Sequence, residues 1–443
     1  MTQLVDAGTQ PKQHTRPAFA FRPGLGLRFG LRPSAAASRP RGDFLLLWAG
    51  QTVSKIGNGA YKIAAAWAVY QIAGSTADMG IVLALNLVPE LALVLLGGTI
   101  ADRVSRRAVV IAADGVAAAV TFALAIAAAL GVLSVSLLMV AAFLLGVVSA
   151  FYGPAYAAMR REVVDTGRLR AANAWMSVSG NLARMAGPAL AGVAFAFGGA
   201  GAVFGLDAAT FAFAVVTALL IRTRTPARAP VQAADGPECT SVARELAEGL
   251  AYTAKSGWLV LLLALSLIAN LACLAPYAVL LPAVAVTHGA GIDRLGLLSA
   301  AEIAVGIAGA IAIGRFGRRL RPGITMLVFC SLLGAGTLLL GLSGGRAVLL
   351  FAGVALIGAG LSFDVIEQTL MQSFVPEHLL SRVYALNTVV SYSLLPVGYA
   401  VSGIVAKHTG ASPVLIVGGA ALIASCASAV PLPVVHRLNA VDY

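Results

Sequence analysis

Long apolar stretches alternate with short polar segments along almost the whole chain. A helix needs about 20 apolar residues to span a hydrocarbon core of roughly 30 Å. Twelve segments meet this length, and the pattern therefore predicts an all-α membrane protein with about twelve transmembrane helices. The predicted segments are 44–72, 78–100, 108–130, 134–156, 173–197, 202–221, 257–286, 292–314, 323–342, 346–371, 384–406 and 411–435.

The segments divide into two sets of six that resemble each other. GPALAG at 187–192 matches GYAVSG at 398–403, and GTIADRVSRR at 98–107 has a weaker counterpart, AIAIGRFGRR, at 310–319. Internal repeats of six helices are typical of secondary transporters, in which two halves move about a central site. We therefore predict two pseudo-symmetric six-helix halves.

The polar segments between and beyond the halves set the predicted domain bounds. Near the end of the one long internal polar segment, apolar residues recur at helical spacing, which predicts an amphipathic helix on the inner membrane surface. The predicted domains are a disordered basic arm (1–43), an N-terminal bundle (44–222), a cytoplasmic linker with the amphipathic helix (223–256), a C-terminal bundle (257–435) and a cytoplasmic tail (436–443).

Composition supports a membrane protein and argues against catalysis. Hydrophobic residues make up 59% of the chain and charged residues 11%, whereas an average soluble domain is about 25% charged. The sequence contains neither a phosphate-binding G-x-x-x-x-G-K-[ST] motif nor a Cys/His cluster with metal-ligand spacing. We therefore expect a protein that is not an enzyme and binds neither metal nor cofactor.

The net charge of +12 reflects membrane topology better than nucleic-acid binding. If both termini are cytoplasmic, 25 of the 31 lysines and arginines lie on the inner side and three lie in outer loops. Positive charge concentrates on the cytoplasmic side of membrane proteins. We therefore expect a multi-pass protein of the cytoplasmic membrane, with both termini inside, the lipid bilayer as a partner, no nucleic acid, and a monomeric state.

The loop between the second and third segments carries a recognisable motif. Gly98, Asp102, Arg103, Arg106 and Arg107 read G-x-x-x-D-R-x-x-R-R, which resembles the signature loop of the major facilitator superfamily. The resemblance implies the fold of that superfamily and a loop that latches one conformation. A positive-inside signal alone would explain the arginines but not the glycine and the aspartate. Within the same motif, the usual second glycine is replaced by Ser105.

The fifth segment carries a second resemblance, to the antiporter motif of drug/proton exporters in the same superfamily. It rests on Gly187, Pro188 and Gly192, because proline kinks a helix and glycine permits close packing. An ordinary kinked membrane helix is the alternative. FLLLWAGQTVSKIGNGAYKIA and TLMQSFVPEHLLSRVYALNTV further resemble the branch that contains the enterobactin exporter and macrolide-efflux proteins.

Carboxylates within the membrane segments are candidates for proton coupling. Removal from water disfavours the ionised form of a carboxyl group, which favours reversible protonation. The candidates are Glu90, Glu302, Asp364 and Glu367. For each of them the alternative is a charge held by a basic partner. For the last two that partner would be Arg382 or the basic cluster at 315–321.

Other polar residues are candidates for a substrate cavity, or for helix packing, which uses polar residues at least as often. Asn270 and Tyr277 are seven positions apart, so we expect them to share a face. We further expect Asp114 to pair with the loop arginines and Asp207 to be solvated near an outer end. The cavity candidates are Asn58, Lys62, Arg184, Asn270 and Tyr277.

Together these features predict a secondary active transporter that exports an amphipathic drug, antibiotic or siderophore by alternating access. The expected energy source is the proton gradient. Uptake or facilitated diffusion of a nutrient is one alternative. A non-transporting membrane receptor or scaffold is another, but the repeat and the intramembrane charges argue against it.

Overall fold

The computed structural model describes residues 41–164, 169–221, 242–287, 292–316 and 321–439. These residues form sixteen α-helices and one π-helical segment. The elements are α1 (Arg41–Ala73), α2 (Thr76–Arg103), α3 (Arg106–Ala129), α4 (Val135–Val163), α5 (Leu169–Leu220), α6 (Val242–Lys255), α7 (Gly257–Ile268), the π-helical segment (Ala269–Leu274), α8 (Ala275–Thr287), α9 (Ile292–Phe316), α10 (Pro322–Leu342), α11 (Ala347–Gly360), α12 (Phe363–Phe374), α13 (Glu377–Ser393), α14 (Leu395–Thr409), α15 (Ala411–Ala429) and α16 (Pro433–Asn439).

Ten stretches of the described chain are long and apolar enough to cross a membrane. The predicted segments outnumber them for two reasons. The span Ala189–Leu220 joins parts of two predicted segments, and α1, which carries Lys55 and Lys62, is a further helix of 33 residues. The all-α membrane architecture predicted from the sequence is therefore confirmed.

Helix α5 consists of two arms, 169–197 and 200–220, that meet at a pair of glycines. Gly198 has φ −162° and Gly199 has φ +62°, a region that glycine enters without the steric penalty of a Cβ atom. This break coincides with the predicted boundary between the segments 173–197 and 202–221, so the two arms correspond to the fifth and sixth predicted segments. The separate kink predicted at Gly187, Pro188 and Gly192 lies within the first arm, whose backbone is helical, and it stays a prediction.

Small residues bring the helices of the N-terminal half into close contact. A Cβ atom at Gly187 would lie 2.8 Å from the Cα atom of Gly59, so α5 and α1 touch through their backbones. Gly146 of α4 similarly leaves no room for a side chain against Asn86 of α2. Such contacts are the usual packing mode of membrane helices, because lipid offers little hydrophobic driving force for helix association.

In the C-terminal half, α10 packs against both α11 and α15. A Cβ atom at Gly334 would lie 2.9 Å from the carbonyl oxygen of Gly419, which fixes the close crossing of α10 and α15. Two predicted segments are interrupted: 346–371 turns between Gly360 and Phe363, and 384–406 turns at Leu394.

The ends of the predicted bundles need correction. Helix α1 begins at Arg41, inside the predicted arm, and the rest of that arm lies outside the described residues. The last span was predicted to end at 435, but in the structure it ends at Ala429 and α16 follows. Val435 and Leu438 are buried in the core, so the predicted tail begins within a packed helix.

The segment predicted as a linker contains α6, which packs against α13. Glu248 of α6 forms an ion pair with Arg382, and the Tyr252 hydroxyl donates to the carbonyl of Phe374 over 3.3 Å. The amphipathic helix is therefore attached to the C-terminal half; the preceding residues 222–241 are outside the described part of the chain.

The two halves meet where α2 packs against α14 and α5 packs against α9. The Thr76 hydroxyl donates to the carbonyl of Gly403 over 2.9 Å, and Gly80 abuts the carbonyl of Tyr399. These contacts lie at the start of α2, whereas the signature motif, 98–107, includes the other end of this helix. At 1.5 Å per residue the two ends of this helix are about 40 Å apart.

Candidate functional site: polar cavities within and between the halves

Three cavities collect most of the charged side chains described in the interior of the membrane segments. The N-terminal cavity has a volume of about 220 Å³ and lies among α1, α2, α3, α4 and α5. The C-terminal cavity, of about 180 Å³, lies among α7, α10, α12 and α13. The interhalf cavity, of about 320 Å³, is lined by residues of both halves.

The interhalf cavity combines charged and aromatic polar groups. The Tyr277 hydroxyl donates to Oε2 of Glu302 over 2.5 Å, which links α8 to α9 at the cavity wall. Lys62 of α1 and Glu90 of α2 line the same cavity from the N-terminal half. Acidic and basic groups can therefore contact one ligand from opposite halves of the molecule.

The rest of the interhalf cavity is mostly apolar. An apolar wall with a few polar groups is typical of small-molecule sites, whose volumes run from about 300 Å³ upwards. The apolar lining includes Ile63, Val69, Met79, Val82, Leu83, Leu87, Leu281, Pro282 and Leu295.

The N-terminal cavity contains Asn58, Lys62 and Glu90, so three predicted site residues lie together. It also contains Asp114, which accepts a hydrogen bond from Nε2 of Gln51 over 3.1 Å. The position of Asp114 corrects the expectation that it pairs with the loop arginines. It lies eight residues after Arg106, which is about 12 Å along the helix axis.

The described arginines of the signature loop have other partners. Arg106 forms an ion pair with Glu162 near the end of α4. Arg107 donates to the carbonyls of Ala218, over 2.9 Å, and Leu219, over 2.5 Å, in the last turn of α5. A cation there is favourable because unpaired carbonyls give a helix C-terminus negative character.

Ser105, which replaces the usual glycine of the motif, is the N-cap of α3. Its hydroxyl oxygen accepts a hydrogen bond from the backbone N–H of Ala108 over 3.4 Å. The side chains of Asp102 and Arg103, and the surroundings of Gly98, lie outside the described part. Their predicted latch role therefore stays a prediction. The same holds for the predicted roles of Arg184 and Pro188 in α5.

The C-terminal cavity contains Asp364, Glu367 and Asn270. Glu367 is 8% exposed and accepts hydrogen bonds from Asn387 and, over 3.5 Å, from Ser266. For Glu367 the alternative of a basic partner does not hold within the described residues, because amide and hydroxyl groups bind this carboxylate and Arg382 pairs with Glu248.

Asn270 and Tyr277 do not share a cavity, which corrects the prediction of a common face. Asn270 lines the C-terminal cavity and Tyr277 the interhalf cavity. Between them the chain passes through the π-helical segment, where hydrogen bonds span five residues instead of four. The wider turn shifts the helical phase, so a seven-residue spacing no longer returns to the same face.

Sequence reasoning also missed functional candidates. Asp207 was expected to be solvated, but it is 1% exposed and lines the N-terminal cavity. Tyr61 lines both the N-terminal and the interhalf cavity. The only signal in the sequence was that Asp207 lies within an apolar segment, which does not reveal which helices cover it.

Solved structures with the same architecture define the class. A bacterial homologue of the iron transporter ferroportin, in an inward-facing state, superposes with a TM-score of 0.68 at 16% identity, covering 90% of this chain and 99% of that chain. The nucleoside transporter NupG gives a TM-score of 0.65 at 12% identity, covering 90% of this chain and 99% of that one. The fold is that of the major facilitator transporters.

Within that class, the chain belongs to the transmembrane secretion effector family, MFS_3, whose model matches residues 34–442. The predicted resemblance to the major facilitator superfamily is thereby confirmed, and the chain is a multi-pass membrane transporter.

Three similar proteins each match more than four-fifths of the chain. The multidrug efflux pump Tap of Mycobacterium tuberculosis is 24% identical over 410 residues, covering 89% of this chain and 94% of Tap. Macrolide efflux protein A of Streptococcus pyogenes is 22% identical and covers 90% and 97%. The enterobactin exporter EntS of Salmonella paratyphi A is 26% identical and covers 81% and 84%.

Proposed function

We propose that this transporter exports an amphipathic small molecule across the cytoplasmic membrane in exchange for protons. The observation that carries the proposal is the interhalf cavity, in which a mostly apolar wall surrounds Lys62, Glu90, Tyr277 and Glu302. A ligand with an apolar body and a few charged or hydroxyl groups is complementary to such a lining.

The substrate class follows from the same lining. A macrolide, a cationic drug and a siderophore each combine apolar surface with groups that could bind an acid or a base. Efflux of drugs and export of enterobactin, as the names of the similar proteins state, are compatible with this chemistry. We propose a drug, an antibiotic or a siderophore as the substrate.

Proton coupling would use carboxyl groups that exchange a proton as the cavities open to either side. Glu90 and Glu302 line the interhalf cavity, and Asp364 and Glu367 line the C-terminal one. A protonated carboxyl group costs much less to hold away from water than an ionised one. Substrate and proton can then compete for the same groups, which is a basis for exchange.

The proposed setting is a monomer in a bacterial cytoplasmic membrane, with both termini inside and lipid as its surroundings. The distribution of lysine and arginine supports this orientation. The contacts between α2 and α14 then lie at the outer end, so the described conformation would open inward. The proton gradient would supply the energy, without a cofactor, nucleic acid or enzymatic step.

Inside-out membrane vesicles provide the test, because an exporter accumulates substrate in them. Vesicles energised by respiration are given a radiolabelled macrolide, ethidium or enterobactin, with vesicles lacking the protein as the control. We expect accumulation of at least one probe, and its loss on adding a protonophore. Accumulation in right-side-out vesicles instead would favour the alternative, nutrient uptake. Binding without flux in either orientation would favour a receptor or scaffold.

A further inference from the structure

Asp207 is a buried carboxyl group with an unsatisfied oxygen. It lies in the second arm of α5, is 1% exposed and lines the N-terminal cavity. The Thr210 hydroxyl donates to the Asp207 carbonyl over 2.7 Å and only weakly to Oδ1, over 3.4 Å. Within the described residues, Oδ2 has no hydrogen-bond partner.

Tyr61 presents a second unsatisfied group in the same cavity. This residue of α1 is 7% exposed, and its hydroxyl also lacks a hydrogen-bond partner among the described residues. Its ring packs against Phe204, with the ring centres 5.7 Å apart, which holds the side chain beside the second arm of α5. Two buried polar atoms without partners are costly unless something binds them.

Gly57 makes room for this arrangement. A Cβ atom at that position would lie 2.6 Å from Oδ1 of Asp207 and would also clash with Thr210. The carboxyl group therefore fits against the backbone of α1, and a small rotation of α1 against α5 would change its access to water.

Asp207 has no direct counter-ion among the described charged residues. Lys55, nearest the inner end, lies over the ring of Tyr156, 5.6 Å from its centre. In the described part of the chain, no lysine or arginine forms an ion pair with Asp207. The other titratable groups of the cavity are Tyr61 and Lys62 of α1, Glu90 of α2, Asp114 of α3 and Tyr152 of α4.

We propose that Asp207 and Tyr61 form a proton-binding site of the N-terminal half, beside the interhalf cavity. In the described conformation the proton resides on the Asp207 carboxyl group. When α1 moves and water enters, the proton leaves, and the Tyr61 hydroxyl donates to the resulting carboxylate. The inference rests on the proposed proton coupling and assigns to it a group that the sequence did not single out.

Tyr61 links this site to the substrate cavity. Together with Lys62, Asn86 and Glu90 it lines both the N-terminal and the interhalf cavity. A ligand that contacts Tyr61 from the interhalf side removes its hydroxyl from Asp207, which favours the protonated carboxyl group. The Tyr61 side chain would thereby couple substrate binding in the interhalf cavity to protonation of Asp207.

Infrared difference spectroscopy tests the site without any substrate. The full-length protein in lipid is taken from mildly acidic to alkaline pH, and the carbonyl stretch of protonated carboxyl groups is recorded. We expect Asp207→Asn to remove one titrating band, and Tyr61→Phe to move its midpoint to higher pH. Asp78→Asn, at the start of α2 outside the cavity, is the matched control and should keep the band. An unchanged spectrum in Asp207→Asn would overturn the site.

Transport then separates the site from the proposed function. Proteoliposomes with an imposed pH gradient are assayed with radiolabelled macrolide, and substrate exchange without a gradient is measured in parallel. We expect Asp207→Asn to lose gradient-driven flux while keeping exchange. If the wild type and Asp207→Asn both show gradient-driven flux, the coupling role of Asp207 is refuted, but proton coupling itself is not. Wild-type flux that ignores the gradient would refute proton coupling, and the infrared spectra would still decide whether the site exists.

Discussion

At the scale of single residues, a short hydrogen bond between Tyr277 and Glu302 lies at the wall of the interhalf cavity. The donor and acceptor are 2.5 Å apart, and the two residues come from adjacent helices of the C-terminal half. The tyrosine fixes the position of the carboxyl group and stabilises its ionised form. Removing the hydroxyl should therefore affect cationic ligands more than neutral ones.

We predict that Tyr277→Phe weakens transport of a cationic probe. Without the hydroxyl, the Glu302 carboxyl group is held less firmly at the cavity wall, so the apparent affinity for a cation should fall severalfold. The loss should be smaller than the about 1.5–3 kcal/mol of a hydrogen bond to a charged group, because this bond is present with and without ligand. Concentration-dependent ethidium efflux measures it. Tyr70→Phe, in α1 and outside the lining of the three cavities, is the control and should behave like the wild type. Equal losses for the two variants would remove Tyr277 from the substrate site.

The ion pair of Arg106 and Glu162 gives a second prediction at this scale. The two side chains are 24% and 18% exposed, so the pair should contribute only about 0.5–1 kcal/mol to stability. We expect the ion pair to matter for transport because it holds the start of α3 against the end of α4. Arg106→Glu should reduce transport and Arg106→Glu/Glu162→Arg should restore it. Failure of the double variant to recover, despite normal expression, would argue against the pair.

Single residues also show where sequence reasoning stops. The charged positions in apolar segments were visible, and most line one of the three cavities, as Glu90, Lys62 and Glu367 do. The partners were not visible. Asp114 binds Gln51, and Asp207 lines the same cavity as Tyr61, because the rotation of each helix about its axis depends on packing with distant segments.

At the scale of helices, glycine contacts set the separation of the elements that carry the site. Gly358 of α11 abuts the backbone carbonyl of Glu302 in α9. Gly306 of α9 in turn lies close to the carbonyl oxygen of Gly358. The position of the Glu302 side chain therefore depends on a backbone contact between helices. The sequence predicted both helices but not this crossing, since helical periodicity does not specify which glycines meet.

We predict that Gly358→Ala destabilises the C-terminal half and displaces Glu302. Overpacking a close contact typically costs about 1–3 kcal/mol. Thermal unfolding of the protein in detergent should therefore begin at a lower temperature, and transport should decline. Gly314→Ala is the matched control, because no atom lies within 4 Å of a Cβ atom at that position of α9. Similar unfolding temperatures for Gly358→Ala and the wild type would contradict the importance of the crossing.

The π-helical segment is the element that periodicity could not predict. A sequence of apolar residues from 257 to 286 indicates one straight helix, and the widened turn at Ala269–Leu274 leaves no mark in that pattern. Gly418 of α15 packs against the carbonyl of Ala272, so the segment is fixed by a tertiary contact. The wider turn of this segment is why Asn270 and Tyr277 line different cavities.

At the scale of the whole molecule, the halves touch through α2 and α14, and alternating access requires this contact to separate. A Cβ atom at Gly403 would lie 3.2 Å from the Cα atom of Ala77, and Gly80 abuts the carbonyl of Tyr399. Larger residues at these positions oppose the described conformation without touching any cavity charge.

We predict that Gly80→Ala shifts the population toward a conformation in which α2 and α14 are apart. Double electron–electron resonance between spin labels on Ser75 and Lys407 reports their separation. The longer distance should gain population relative to the wild type. Gly115→Ala, whose Cβ atom would meet no atom within 4 Å, should leave the distribution unchanged. An unchanged distribution in Gly80→Ala would mean that this contact does not control the equilibrium.

The central claim is that this major facilitator protein uses a proton gradient to move an amphipathic compound. Proteoliposomes containing only the purified protein test it most directly, with an imposed pH gradient as the sole energy source and a radiolabelled macrolide, ethidium or enterobactin as the probe. The account predicts accumulation of a probe above its equilibrium level on the acidic side, lost when the gradient is collapsed. The claim would be contradicted if every probe only reached equal concentrations on the two sides, with or without the pH gradient.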